Sequence, residues 1–353
     1  MDTEINLKTK EKFYRYAGST EQLCGIKEYE LKSGKAKGVK AFDVRNGAGL
    51  EYTVLSDRCL DISNLTFRGI NCSYLSSTGV VAPEYNESGT NFLNNFFAGF
   101  LTTCGLRNVG NACEEDGEVF NQHGRISNTP AEEVCVSTDW MDDAPEMTIS
   151  GKIREATFFK ENLLLERKIT CRFGENRIKI SNVIENRGFK PEVLMLLLHF
   201  NIGYPLLDEC SQFLSSSKEI IPRDAEATKG MNEYHRFQPP TRQYAEQVFY
   251  HDLNADGNGD ALVAIVNPKL EIGVSFRFDK QQFTRFGQWK QMGEGEYILG
   301  IEPSNCYVGG RVDPLNKKSK TYLQPFERKN FDIIIDFHSG EKQLKKLREM
   351  ING

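Results

Sequence analysis

The chain has 353 residues, of which 39% are hydrophobic, and carries a formal net charge of -5. That length buries a sizeable core, and the acidic balance excludes a general nucleic-acid or anionic-membrane surface, since counterion-release binding needs clustered Lys and Arg. The 9 cysteines are odd in number, irregularly spaced and without a CxxC pair, which predicts reduced thiols and no zinc site.

The N-terminus, Met1-Asp-Thr-Glu-Ile-Asn6, lacks a basic-then-apolar signal pattern, and no apolar run approaches the roughly 18 residues of a membrane span, so a cytoplasmic protein is expected. Residues 1–40 are polar and Lys-rich, with room for one lead-in strand. Glu51 to Leu55 reads as a strand that delivers Ser56-Asp-Arg-Cys-Leu-Asp61, placing Arg58 and Asp61 at its end. There they form an ordinary ion pair or, in a pocket, a grip on a hydroxyl or carboxylate. Ser88 to Phe100 suits one short helical or irregular segment.

The stretch Asn121-Gln-His-Gly-Arg-Ile-Ser-Asn128 lies close to Gly105, Arg107, Asn108, Gly110 and Gly117. Such a loop either offers backbone groups, His123 and the forks of Arg107 and Arg125 to a hydroxyl-rich or anionic ligand, or is a solvated surface loop. In Leu194-Met-Leu-Leu-Leu-His-Phe-Asn-Ile-Gly203 an apolar run ends at His199, and Asn201 shares its strand face. The pair forms a polar floor, or His199 is a core histidine satisfied by a backbone carbonyl.

Strands with period two continue to the C-terminus: Ile178 with Ile180, Leu262 to Val266, Glu271 to Phe278, Tyr297 to Ile301 and Phe331 to Phe337. Asp252-Leu-Asn-Ala-Asp-Gly-Asn-Gly-Asp260 resembles half a calcium loop, but its twelfth position is Val263, so a polar hairpin loop is expected. Gln288-Trp-Lys290 sets an indole beside polar donors, which suits the apolar face of a sugar ring, although Trp289 would equally fit a core. Glu302 follows an apolar strand and precedes Pro303. A carboxylate there is costly unless paired or put to use. Residues 341–351 carry apolar side chains at helical spacing.

Turn signals such as Asn46-Gly-Ala-Gly49, Gly174-Glu-Asn176 and Asn186-Arg-Gly188 separate these strands without a strand-helix rhythm. One all-β domain over residues 1–353, a large antiparallel β-sandwich with few short helices, is the simplest architecture. Walker A, strand-coupled GxGxxG and Gly-x-Ser-x-Gly patterns are missing, which leaves phosphate-loop, dinucleotide and α/β-hydrolase functions without support.

Taken in order, Ser56-Asp-Arg-Cys-Leu-Asp61, Gly99-Phe-Leu-Thr-Thr-Cys-Gly-Leu-Arg-Asn-Val-Gly110, His123-Gly-Arg-Ile-Ser-Asn-Thr-Pro-Ala131, His199-Phe-Asn-Ile-Gly-Tyr-Pro-Leu206 and Gln288-Trp-Lys290 through Gly300-Ile-Glu-Pro-Ser-Asn305 resemble the aldose 1-epimerase-related, galactose mutarotase-like proteins, specifically their DUF4432 branch. The resemblance runs from about Arg45 to Phe337. It implies a galactose mutarotase-like sandwich with a carbohydrate pocket on its concave face and a small-molecule carbohydrate as partner. It further implies Glu302 as general base, His199 as general acid and His123 as second pocket histidine, with Arg58, Asp61, Arg107, Asn108, Arg125, Asn201, Gln288, Trp289 and Lys290 around the sugar. No equivalent of the family's pocket aspartate occurs between Pro205 and Gln288. The implied isomerase needs no cofactor. It does need a charged His199 near neutral pH. An epimerase or isomerase for an anionic sugar, drawing on Arg58, Arg107 and Arg125, and a sugar-binding protein without catalysis stay open beside it.

Overall fold

A computed structural model describes residues 7, 9–85 and 92–352. The expected segment from Ser88 to Phe100 therefore lies partly outside the described residues; within them, Phe92–Asn95 is a short helix.

Two large antiparallel sheets face each other. The 12-stranded sheet runs in the order Gly25–Glu30, Lys40–Arg45, Leu50–Leu55, Asp61–Phe67, Leu101–Leu106, Glu192–Gly203, Glu296–Ser304, Arg285–Gly293, Gln247–Leu253 and Ser217–Pro222, with two short strands off this path. The 8-stranded sheet runs Ala131–Met141, Ala144–Ala156, Asn162–Arg172, Arg177–Asn186, Arg328–Ser339, Ile272–Asp279, Asp260–Asn267 and Gln212–Ser215. Helix Glu341–Asn352 packs Leu344, Leu347 and Ile351 on Ala264 and Val266 at the back of the second sheet.

The apolar run before His199 shows how sequence becomes layers. Successive side chains of a strand point to opposite faces. Leu194, Leu196, Leu198, Phe200 and Ile202 face the main core between the sheets, where they meet residues such as Phe276 and Ile335. Val193, Met195 and Leu197 face the other way into a smaller cluster with Phe92, Phe96, Val109 and Ile298. Both faces of this strand are thus covered, and each large apolar side chain so buried contributes about 1.5–3 kcal/mol. His199 and Asn201 continue the second row, so they lie on the face turned away from the main core.

Asp61 and Arg167 pin the sheets together. Arg167 Nη1 is 2.8 Å from Asp61 Oδ1, and both side chains are fully buried. Arg167 also donates to Asn182 Oδ1, Cys59 O and Thr103 Oγ1, while Thr103 donates its N–H and hydroxyl to Asp61. Burial pushes the Asp61 carboxyl up and Arg167 opposes it. The expected polar hairpin at Asp252 to Asp260 is instead a crossover, because Gln247–Leu253 and Asp260–Asn267 belong to different sheets. Asp256 accepts from the N–H groups of Asn258 and Asp260 and pairs with Arg277.

Candidate active site

Strand register assembles the site. Tyr250 pairs with Gly287, Gly287 with Glu302, and His199 with Thr102. The pairs Leu197 with Ser304 and Phe200 with Ile301 bring His199 opposite Glu302, so one row crosses five strands on the same face. The neighbouring row holds Val248, Trp289, Gly300 and Asn201. The strand that carries Glu302 continues through Pro303 to Ser304 rather than breaking at the proline.

His199 Nε2 lies 3.2 Å from Glu302 Oε1, and both side chains are buried. Glycines make room for this contact. A Cβ at Gly300 would meet Glu302 Oε1 at 2.7 Å, Trp289 Cβ at 2.9 Å and His199 Cε1 at 3.2 Å; one at Gly287 would meet Glu302 Oε2 at 2.9 Å. Aromatic rings enclose the imidazole: Phe96 and Trp289 have centroids 5.5 Å and 5.4 Å from it, and His123 stands 6.1 Å away. His199 Nδ1 and Asn201 Oδ1 are buried without a partner. Such atoms cost about 1–3 kcal/mol each when left unsatisfied, so this floor suits a polar ligand.

Burial governs protonation. It lowers His199 to about 3, with His123 acting in the same direction and the Asn201 amide against it. Burial also raises Glu302 to about 8, with Glu246 adding to the effect and Arg223 opposing it. Burial therefore works against the charged His199 that the implied chemistry requires and favours a neutral imidazole beside a neutral carboxyl. The pair holds one exchangeable proton across the neutral range.

His123 reaches the site on a loop tied down by backbone hydrogen bonds. Its backbone, at φ 55, receives a bond from Gly105 N–H and donates to Gly110 O, while Gly110 N–H approaches His123 Nδ1 at 3.4 Å. Accepting at Nδ1 leaves the proton of the neutral ring on Nε2. Burial lowers His123 to about 4. Asn108 holds this loop rather than a sugar: its amide donates to Asn111 O and Asn121 O, and its Oδ1 accepts from Arg311 N–H.

The structure thus groups His199, Glu302, His123, Trp289 and Asn201, and removes the remaining expected contacts. Arg58 is buried with its guanidinium donating to the backbone oxygens Ser127 O, Val81 O and Asn95 O and lying over the Phe97 ring, so it ties backbone segments together. Asp61 lies between the sheets with Arg167. Arg107 is spent on Glu118, Glu161 and Glu192, and Arg125 on Glu161, Thr157 and Glu155. Gln288 and Lys290 flank Trp289 and so point to the opposite face. There Gln288 bonds His251 Nε2 and Tyr234 O, and Lys290 donates to Glu233 O with its ammonium lowered to about 8 by burial.

Other residues take their place. Trp289 Nε1 donates to Glu246 Oε2, which belongs to an ion pair with Arg223. Tyr250 packs edge-on against Tyr307 at 4.9 Å, and Phe92 covers His123 at 4.8 Å. Tyr250, Phe92, Phe96 and Glu246 carried no sequence signal that separates them from core or surface residues. Among the described residues no cluster of His, Cys, Asp and Glu could hold a metal ion.

No curated protein matches the chain by sequence. Among solved structures it is similar to a candidate aldose 1-epimerase from Klebsiella pneumoniae subsp. pneumoniae MGH 78578, at 27% identity and TM-score 0.88 over 93% of this chain and 86% of that one. It shares its fold with a galactose mutarotase-like protein from Clostridium acetobutylicum, at 14% identity and TM-score 0.62 over 90% of this chain and 100% of that one. The same holds for galactose 1-epimerase from Lactobacillus acidophilus NCFM, at 14% identity and TM-score 0.57 over 90% and 100%. A family model for a domain of unknown function, DUF4432, matches residues 36–336. With that match over most of its length and this sandwich, the chain belongs to the DUF4432 family, whose fold here is that of the galactose mutarotase-like proteins.

Proposed function

We propose that the protein interconverts the α and β anomers of a cyclic aldose, with His199 and Glu302 exchanging one proton across the hemiacetal. The observation that carries this reading is the buried 3.2 Å contact between His199 Nε2 and Glu302 Oε1, set beside the unpartnered Asn201 Oδ1 and His199 Nδ1.

Burial favours the protonated form of Glu302 and the neutral form of His199, which supports Glu302 as the starting donor. Glu302, neutral at pH 7, gives its proton to the ring oxygen as the bond from C1 to that oxygen breaks, and His199 accepts the proton of O1 as the carbonyl forms. Rotation about C1–C2 presents the other carbonyl face. On closure the ring oxygen attacks C1 and returns its proton to the Glu302 carboxylate, while the imidazolium protonates O1. Protons balance and the pair ends as it began. This exchanges the starting roles implied by the family resemblance, because burial leaves the proton on the carboxyl. His123 supports the site as a neutral donor through Nε2, and Trp289 offers an aromatic face to the ring.

The reading of an anionic sugar loses its support, since Arg58, Arg107 and Arg125 are all held by protein partners. The test is NMR exchange between anomeric protons, run over a panel of neutral and acidic aldoses. Wild type is expected to speed exchange of at least one neutral sugar, and Glu302→Gln to lose about 10²–10⁴-fold of that rate. Binding of a sugar without acceleration, in wild type and variant alike, would leave a sugar-binding protein and sink the catalytic reading.

A further inference from the structure

Four phenylalanines at one end of the sandwich are left in solvent: Phe158 is 84% exposed, Phe159 91%, Phe189 85% and Phe326 58%. They sit on three turns that the backbone ties together. Phe158 and Phe159 occupy the turn between Ala144–Ala156 and Asn162–Arg172. Arg187 N–H donates to Asn162 O at 2.7 Å, which draws in the turn carrying Phe189, and Phe326 N–H donates to Asn186 O at 2.7 Å. The rings are already arranged in pairs, Phe158 with Phe159 at 3.9 Å and Phe189 with Phe326 at 5.4 Å. No described segment of the chain covers them.

We propose that this aromatic end is the interface of a two-fold symmetric dimer, in which the phenylalanine pairs of one copy pack on those of a second copy. Area supports a protein partner. Each such ring buries about 150–250 Å², so four rings exposed to this extent offer about 600 Å² of apolar surface, close to the ~800 Å² per partner of a standard interface. That is at the top of the ~300–600 Å² found for the largest apolar patch of an ordinary monomer. Charge at the rim selects the second copy. Arg328 pairs with Glu166 at 2.9 Å, Arg187 with Glu185 at 3.0 Å and Lys329 with Glu327 at 3.7 Å, so both signs stand on these turns and the adjoining strands, with Lys160 and Lys190 next in sequence to Phe159 and Phe189. A mixed rim complements itself under a two-fold rotation, whereas an anionic lipid surface calls for a rim of one sign. The rings' pairing in the single chain lowers the ordering cost of association.

The test compares sedimentation velocity of wild type with two double variants, Phe158→Ser with Phe159→Ser and Phe189→Asp with Phe326→Ser. The two pairs lie on different turns and their exposure leaves folding intact, which thermal unfolding checks. Wild type is expected at twice the chain mass, and each variant at the chain mass, with dimer Kd raised at least about thirtyfold. Wild type that stays at the chain mass up to its highest soluble concentration overturns the proposal. So does a dimer that survives both variants, which would use another face. Wild type that cosediments with phosphatidylglycerol vesicles as a monomer assigns the patch to a lipid surface and equally overturns it.

Discussion

His199 and Glu302 stand opposite each other on adjacent antiparallel strands, and each shifts away from its ordinary charge state because the face they share is buried. The closeness of Nε2 and Oε1 lets one proton serve both, which is what a reaction that opens and recloses a hemiacetal requires.

The proposed anomerisation takes its pH dependence from that pair. The singly protonated form persists between the two values of about 3 and about 8, so kcat/KM is expected to stay level through neutrality and to fall about tenfold per pH unit above about 8. Initial rates at subsaturating sugar between pH 6 and 10 check this. A fall that begins near pH 6.5 would point to an ordinary histidine instead.

Stability carries the opposite cost. Glu302 ionises at its ordinary 4.5 in the unfolded chain but near 8 in the folded one, so its contribution is present below 4.5 and is lost as pH rises through 8. His199, held near 3 instead of 6.5, contributes stability above 6.5 that is lost as pH falls toward 3. Glu302→Gln is therefore expected to unfold at a higher temperature than wild type at pH 9, with little difference at pH 5. Calorimetry at the two pH values decides it.

Gly300→Ala tests positioning. The new methyl group would press on Glu302 Oε1 and on Trp289 Cβ, and the carboxyl is the part free to move. A loss of about 10–100-fold in kcat is expected, with far-UV circular dichroism unchanged, since misplacement of about 1 Å costs up to 10²-fold. Undiminished turnover would show that the carboxyl needs no fixed place.

Asp61→Asn and Arg58→Ala separate structure from chemistry. The first leaves Arg167 buried without its counter-ion and is expected to cost about 3–5 kcal/mol in denaturant unfolding. The second strands the carbonyls of Ser127 and Val81 and is expected to cost about 1–3 kcal/mol for each. In both, KM for the sugar stays at the wild-type value, because neither side chain reaches the site. A raised KM with unchanged stability would return Arg58 to the pocket.

What local sequence determined here is periodicity. Ile272, Val274 and Phe276 alternate because one face of their strand meets the main core, and the run from Leu194 to Leu198 is wholly apolar because both faces of its strand are covered. Such patterns disclose strands and a sandwich, and they single out His199 and Glu302 as polar interruptions of apolar runs. They do not say which face is the site. Gln288, Trp289 and Lys290 are consecutive, yet only Trp289 points toward Glu302, and that sign depends on the register with Glu296–Ser304. Asp61 stands three residues from Arg58 in the chain but pairs with Arg167 from the opposite sheet. Tertiary structure decided these assignments, since facing and charge pairing depend on neighbours brought in from distant strands, and so does the burial that leaves His199 neutral and Glu302 protonated.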